Sequence, residues 1–212
     1  NDDAGCGYSG YQSRIENLVL GNGNVYYIVI DGYGSDCGSY DLTIEEFALP
    51  DCPCPAGTMP EGEPPLVENY VDNYNGGCNS ATPVFQVLSG NAAGELDFCG
   101  RSGTYLYFGS SYRDTDWFIV TAAGPTVTFE VSPEFPVNMF ELFPEDCNSV
   151  AVAQQATPPA CGSATLTIPT FAGDEIWLWV GPTVFGGLPE FDYTMHLTGI
   201  EGGATAVEPT TW

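Results

Sequence analysis

Two carboxylates, Asp114 and Asp116, stand directly before the apolar run Trp117-Phe118-Ile119-Val120, and Arg113, one of only three cationic side chains of the Lys and Arg type, precedes them. The run is aromatic and β-branched and reads as a strand buried on both faces, which puts the two acids at its start. Residues two apart in a strand point to the same side of the sheet, so these carboxylates repel each other unless a cation lies between them. Arg113 is adjacent in sequence and is expected to point away. A hard cation such as Ca²⁺, which takes six to eight oxygens in a forgiving geometry, answers the repulsion. The rival reading is a solvated acidic strand mouth, because acidic residues are abundant along the whole chain.

The 212 residues include 28 acidic and 3 basic ones and no lysine, for a net charge of −25, while 43% of residues are apolar. That apolar content supports a folded core. The charge excludes a phosphate backbone or an anionic membrane surface as partner, and it favours an exterior rich in salt or divalent cations. No apolar run reaches the roughly 20 residues of a membrane-spanning helix. Eight cysteines, Cys6, Cys37, Cys52, Cys54, Cys78, Cys99, Cys147 and Cys161, lie among Gly, Asn, Asp, Ser and Pro. An even count in turn-forming surroundings points to disulfides in an oxidising, extracellular compartment rather than to zinc. The expected pairs bracket local segments: Cys6 with Cys37, Cys78 with Cys99, and Cys147 with Cys161. Cys52 and Cys54 are then left to each other or to a partner outside the chain.

Catalytic patterns are missing. The one histidine, His196, alternates to the polar side of its strand, no base stands beside a nucleophile, and no Gly-x-Ser-x-Gly, phosphate loop or His-Glu-x-x-His occurs. The chain is therefore expected not to be an enzyme. Tyr26, Tyr27, Trp177 and Trp179 sit in strand-like runs and are expected in packing. Tyr8, Tyr11, Tyr33, Tyr70, Tyr74 and Phe185 sit in loops and are the better contacts for a ligand or a neighbouring subunit.

The elements that must hold these residues are all β. Val25 to Ile30 is a strand-like run after the turn Gly21-Asn22-Gly23-Asn24, and Tyr40, Leu42 and Ile44 alternate with polar residues. Near the end the pattern returns: Leu166 and Ile168, a turn at Gly173-Asp174, Ile176 to Val180, then Tyr193, Met195 and Leu197 in alternation. This internal repeat sets residues 1–47 against roughly residues 145–200. The expected organisation is half of a first β-sandwich over 1–49, a Pro/Cys linker over 50–62, a complete second sandwich over 63–201 and a flexible tail over 202–212. Half a sandwich leaves strand edges and a core face open, so the missing strands are expected in a preceding stretch or in a neighbouring subunit. The loop from Gly62 to Ser80 has few apolar residues and needs an anchor, for which Cys78 is suited.

The segments Asp2-Asp3, Gly23 to Tyr33 and Gly38 to Ile44 resemble the second half of a bacterial pre-peptidase C-terminal domain, and Asp114-Thr115-Asp116-Trp117-Phe118 resembles that family's mid-domain strand start. The resemblance implies tandem antiparallel, jelly-roll-like β-sandwich modules, non-catalytic and attached to secreted bacterial proteins. Some relatives bind calcium, and some bind collagen or polysaccharide. Carried over residue by residue, it implies a calcium site built from Glu61 and Glu63 in the linker with Asp114 and Asp116 at the strand, with Glu68, Asp72 and Asn75 as rival linker ligands. Two functions follow as expectations. The first is a structural or adhesive module of a larger secreted protein, a filament or surface-assembly subunit completed by strands from other copies of itself. The second is a glycan- or protein-binding accessory module of a secreted hydrolase.

Overall fold

The computed structural model describes residues 25–30, 39–44, 52–144, 146–203 and 208–211. The chain divides into two compact units, Asn1–Leu49 and Pro50–Trp212. Among the described residues there is no helix, in agreement with the all-β reading, and all the strands fall in the second unit.

One sheet runs in the order β1 (Met59–Pro60), β3 (Glu95–Ser102), β12 (Phe191–Thr198), β7 (Thr126–Pro133), β10 (Ala164–Pro169). The facing sheet runs β13 (Glu208–Thr211), β2 (Val84–Val87), β6 (Asp116–Thr121), β11 (Glu175–Pro182), β8 (Val137–Leu142), β9 (Val152–Ala156). Most pairings are antiparallel, but β1 with β3 and β2 with β6 are parallel, so both sheets are mixed rather than purely antiparallel. A separate hairpin, β4 (Thr104–Tyr107) with β5 (Ser110–Arg113), stands where the chain passes from β3 in one sheet to β6 in the other.

Strict alternation accounts for the first sheet. Val127, Phe129 and Val131 of β7 and Tyr193, Met195 and Leu197 of β12 point inward and are buried, against Phe98 of β3. The second sheet is apolar on both faces, as the run Trp117 to Val120 implies. Phe118, Val120, Leu178 and Val180 face the first sheet, while Phe85, Trp117, Ile119, Leu142, Trp177 and Trp179 form a second cluster on the opposite face. Cys78, Cys147 and Val150 pack onto that outer cluster, so a loop stapled across it makes two-sided burial of β6 and β11 tolerable.

Three disulfides join Cys52 to Cys161, Cys54 to Cys99 and Cys78 to Cys147. None is a pair expected from sequence. Local bracketing fails because the sandwich places residues 109, 45 and 69 positions apart side by side, and Cys52 and Cys54 are consumed separately. Cys6 and Cys37 lie outside the described residues. The stretch expected as a linker over 50–62 is bonded into the second unit, with Met59 paired to Phe98 and Glu61 N donating to Cys99 O at 2.9 Å. The expected flexible tail supplies β13, paired with β2.

Residues 25–30 and 39–44 form none of the strands, contrary to expectation, and Val25, Tyr27, Val29, Tyr40 and Ile44 are exposed. A strand persists only with neighbours to bond and cover it. Tyr26 and Tyr27, expected in packing, are exposed as well, whereas Trp177 and Trp179 are buried as expected.

A buried carboxylate cluster as candidate functional site

Asp114 and Asp116 are 2% and 0% exposed, and Glu61 and Glu63 are 4% and 8% exposed. The solvated mouth is thereby overturned: four carboxylates lie inside the end of the sandwich. The sheet geometry explains how they meet. β1 runs parallel to β3 and leads directly into Glu61, whose backbone N–H donates to Cys99 O, and the Arg101 backbone N–H donates to Glu61 Oε2 at 2.8 Å. β6 begins at Asp116 in the second sheet, and the chain turns through Asp114 from the β4–β5 hairpin to reach it, with Asp114 N donating to Gly103 O. Gly62 takes a φ of +88° between the two glutamates, with the Tyr74 hydroxyl 2.9 Å from where a Cβ would stand. Any side chain there would be strained and crowded.

A fifth carboxylate joins from the loop before β2. Asp72 accepts the backbone N–H groups of Tyr74 and Asn75 on Oδ1 at 2.8 and 3.1 Å, a local turn that aims the second oxygen inward. The carboxylate oxygens fall into two overlapping groups, Glu61 with Glu63 and Asp116, and Glu63 with Asp72 and Asp114, each within 4.8 Å of one another. Glu63 belongs to both. Of the rival ligands, Asp72 and Asn75 lie in the cluster and Glu68 is exposed elsewhere.

Neutral groups hold the acids without neutralising them. Asn75 Nδ2 donates to Glu61 Oε1 at 2.6 Å, Tyr70 OH to Glu63 Oε1 at 2.5 Å, and Tyr193 OH to Asp116 Oδ2 at 2.7 Å. The Tyr193 bond reaches from β12 across to β6, and it requires Gly100 opposite: a Cβ there would lie 2.0 Å from the Tyr193 ring. Tyr74 OH and Gln86 Nε2 both donate to Glu61 O. Of the loop tyrosines expected from sequence to contact a ligand or subunit, Tyr70 is turned onto the Glu63 carboxylate and Tyr74 onto the Glu61 backbone carbonyl. Tyr8, Tyr11 and Tyr33 lie outside the described residues, and Phe185 is exposed as expected.

Arginine does little here. Arg101 reaches the Glu63 carbonyl and lies 3.5 Å from Glu190, while Arg113 turns away, its guanidinium over the rings of Trp179 and Phe185. Burial, followed by repulsion from neighbouring acids, therefore drives the carboxyls toward their neutral forms. Glu63 is pushed from 4.5 to about 8 by burial and Asp72. Glu61 is raised by burial and Glu63, Asp114 by burial and Glu63, and Asp116 by burial and Glu61. Burial raises Asp72 also. Among the described residues six side-chain oxygens are buried with no hydrogen-bond partner, and apart from Glu141 Oε2 on β8 they belong to this region: Asp72 Oδ2, Asn75 Oδ1, Gln86 Oε1, Asp114 Oδ1 and Asp116 Oδ1. Buried acceptors are almost always satisfied, and these are all hard oxygens gathered at one place.

The residues that sequence reasoning missed are Gln86, Tyr193 and Gly100. Each sits in a strand pattern that reads as ordinary sheet, and nothing in their spacing marks them. His196 behaves as expected, its Nδ1 2.7 Å from Asp97 on the outer side of the first sheet. Three disulfides are the chemistry of an oxidising compartment, and among the described residues no helix is long and apolar enough to cross a membrane.

No known protein family matches the chain, and no curated protein matches it. A solved structure that aligns with it is the crystal structure of Aeromonas hydrophila PliG, a periplasmic lysozyme inhibitor of g-type lysozyme, at 10% identity and a TM-score of 0.38, over 55% of this chain and 97% of that one. At that distance the likeness assigns nothing to this chain.

Proposed function

We propose that the second unit is a non-catalytic, calcium-stabilised β-sandwich module of a larger extracellular protein of the pre-peptidase C-terminal type, with a structural or adhesive role. The observation that carries this reading is the set of unpartnered buried oxygens among five carboxylates. A cluster of that charge with no cationic side chain inside it is stable only if protonated or if it holds a cation, and carboxylate and amide oxygens select a hard one. Two groups sharing Glu63 fit two Ca²⁺ ions bridged by that residue. Such ions would tie the segment 61–63 and the loop at Asp72 to both sheets, holding a region with little apolar anchorage.

Isothermal titration of chelator-treated protein with CaCl₂ is expected to show two equivalents bound. Calcium at a hundredfold excess over Kd would add about 2.7 kcal/mol to stability if only the folded state binds. Asp114→Asn is expected to remove one equivalent and most of the melting-temperature response to chelator. Equal melting temperatures in chelator and in millimolar calcium would show that the cluster is a protonated structural network instead.

The exposure of Val25, Tyr27 and Val29 supports a second component of the role, assembly through strands supplied by a neighbouring copy. The accessory binding module of a secreted hydrolase remains the competing reading, and the exposed aromatic hairpin is the feature that favours it.

A further inference from the structure

Several exposed apolar side chains of the second unit lie on or near the β4–β5 arm, while Phe143, Val152 and Phe171 are exposed on other elements. Leu106, Phe108 and Tyr112 of the β4–β5 arm, Val184 and Phe185 of the loop between β11 and β12, and Val67 are all more than two-fifths exposed, Phe108 at 82% and Phe185 at 58%. Contacts form two groups: Tyr107 meets Phe108 and Tyr112 edge-on and Tyr105 stacks on Tyr112 on one face of the arm, while Arg113, on the other face, lies 4.4 Å from the Phe185 ring centre. Exposed aromatics on one face of a short arm and an arginine with an exposed aromatic on the other are the composition of a protein-binding surface rather than of a solvated arm.

The backbone of the arm adds a direction. Asp114 N donates to Gly103 O, and the register pairs Tyr105 with Tyr112 and Leu106 with Ser111. Antiparallel pairs alternate between bonded and non-bonded, so Ser111 and Arg113 turn their N–H and C=O groups away from β4. On the other side of the arm Asn69 covers the edge, its N–H donating to Leu106 O and its Oδ1 accepting from Phe108 N. Nothing among the described residues does the same for β5, whose Ser110, Ser111 and Tyr112 are exposed. The edge carries no proline, lysine or bulge of the kind that blunts an open strand.

The chemistry on each side of that edge differs. Ser111 and Arg113 share one face of the arm and Tyr112 the other. Arg113 donates Nη1 to Pro182 O at 3.1 Å and, among the described residues, has no carboxylate at ion-pair distance, in a chain where acids outnumber basic residues 28 to 3. The Trp179 and Phe185 rings both pack against the guanidinium, their centres 5.1 and 4.4 Å from its central carbon.

We propose that the outer edge of β5 is a docking site for an extended segment of a partner protein, added as a strand, with a carboxylate set against Arg113 and apolar or aromatic side chains alternating onto Tyr112 and Tyr107. Main-chain bonds to Ser111 and Arg113 provide affinity, and the alternation provides selectivity. A sugar platform is disfavoured because Tyr105 and Tyr112 turn faces toward each other, and Phe185 turns one face to Arg113.

The test is a selection of octapeptides from a random phage-displayed library against the intact chain in millimolar calcium, followed by fluorescence anisotropy with the enriched peptides. Calcium keeps the carboxylate cluster in one state throughout. A loss of binding on chelation with the calcium-state affinities intact would then speak to the cluster and not to this site. Enriched peptides are expected to alternate Asp or Glu with aromatic or β-branched residues. Ser111→Pro, which deletes an outward N–H and leaves the bonds to β4, is expected to weaken binding about tenfold or more, as is Arg113→Gln. Should either variant misfold, N-methylation of alternate peptide residues tests the same bonds on the unaltered protein, and one of the two methylation registers is expected to abolish binding. A selection without binders, peptides indifferent to all three changes, or a dimer of the chain that dissociates in Ser111→Pro would each overturn the proposal, the last by assigning the edge to a second copy.

Discussion

Glu63 faces Glu61 on one side and Asp72 and Asp114 on the other, and among the described residues the hydrogen-bond donor to its carboxylate is the Tyr70 hydroxyl. Burial raises its pKa from 4.5 to about 8, and the other four carboxyls move in the same direction. A carboxyl that holds its proton more tightly folded than unfolded contributes stability below its unfolded value, and that contribution is lost as pH rises through the folded one. Without divalent cations the melting temperature is therefore expected to fall as pH rises from about 4.5 through about 8. Millimolar calcium is expected to flatten or reverse the slope, because ions replace protons as counter-charge. A pH series of melting curves with and without chelator checks this. A chelated protein that gains stability across that window would show that the acids ionise unaided. Tyr193 contributes through its reach across the core to Asp116, and burial with the Asp116 charge raises its own pKa.

At the scale of elements, the segment 52–63 carries the two-residue strand β1 and two disulfide anchors rather than acting as a spacer. Cys52 and Cys54 fasten it to Cys161 and to β3, and β1 is bonded to β3. Prolines cannot donate to both neighbours of a central strand, and β1 lies at the margin of its sheet. The third disulfide, Cys78 to Cys147, clips the loop that covers Trp117 and Trp177. Replacing both of those cysteines with serine is expected to cost about 4 kcal/mol through the loop released in the unfolded chain. It should also shift tryptophan emission to the red as the outer cluster becomes wet. Unchanged emission would mean that packing alone holds the loop. Non-reducing peptide mapping is expected to join Cys52 with Cys161 and Cys54 with Cys99, and recovery of Cys78 linked to Cys99 would contradict the fold.

For the whole molecule, −25 charges against a modest number of strands set a global repulsion that salt and divalent ions relieve. The apolar residues of 25–30 and 39–44 add a second instability, since large exposed side chains such as Tyr27 at 89% seek cover. The intact chain is therefore expected to self-associate with rising concentration, and Val29→Asp to suppress this without altering the melting of the second unit. Sedimentation velocity reads the first and calorimetry the second. A chain that stays monomeric at high concentration would remove assembly from the proposed role.

What composition and pattern determined by themselves are local or additive quantities. Alternation at 126–131 and 193–198, the doubly buried run at 117–120, the oxidised cysteines and the pairing of Asp114 with Asp116 all depend on neighbours a few residues away or on totals. Glu61 and Glu63 came within reach only through a family resemblance. The disulfide partners, the arrival of Asp72 beside Glu63, the Tyr193 bond to Asp116 and the open edge of β5 were decided by tertiary structure alone. Each joins residues brought together by sheet order, and strand order follows from how two faces are covered at once, which no window along the chain contains. The burial of the acids belongs to the same class: Asp114 looks like any acid at a strand mouth until β1 and the loop at Asp72 close over it.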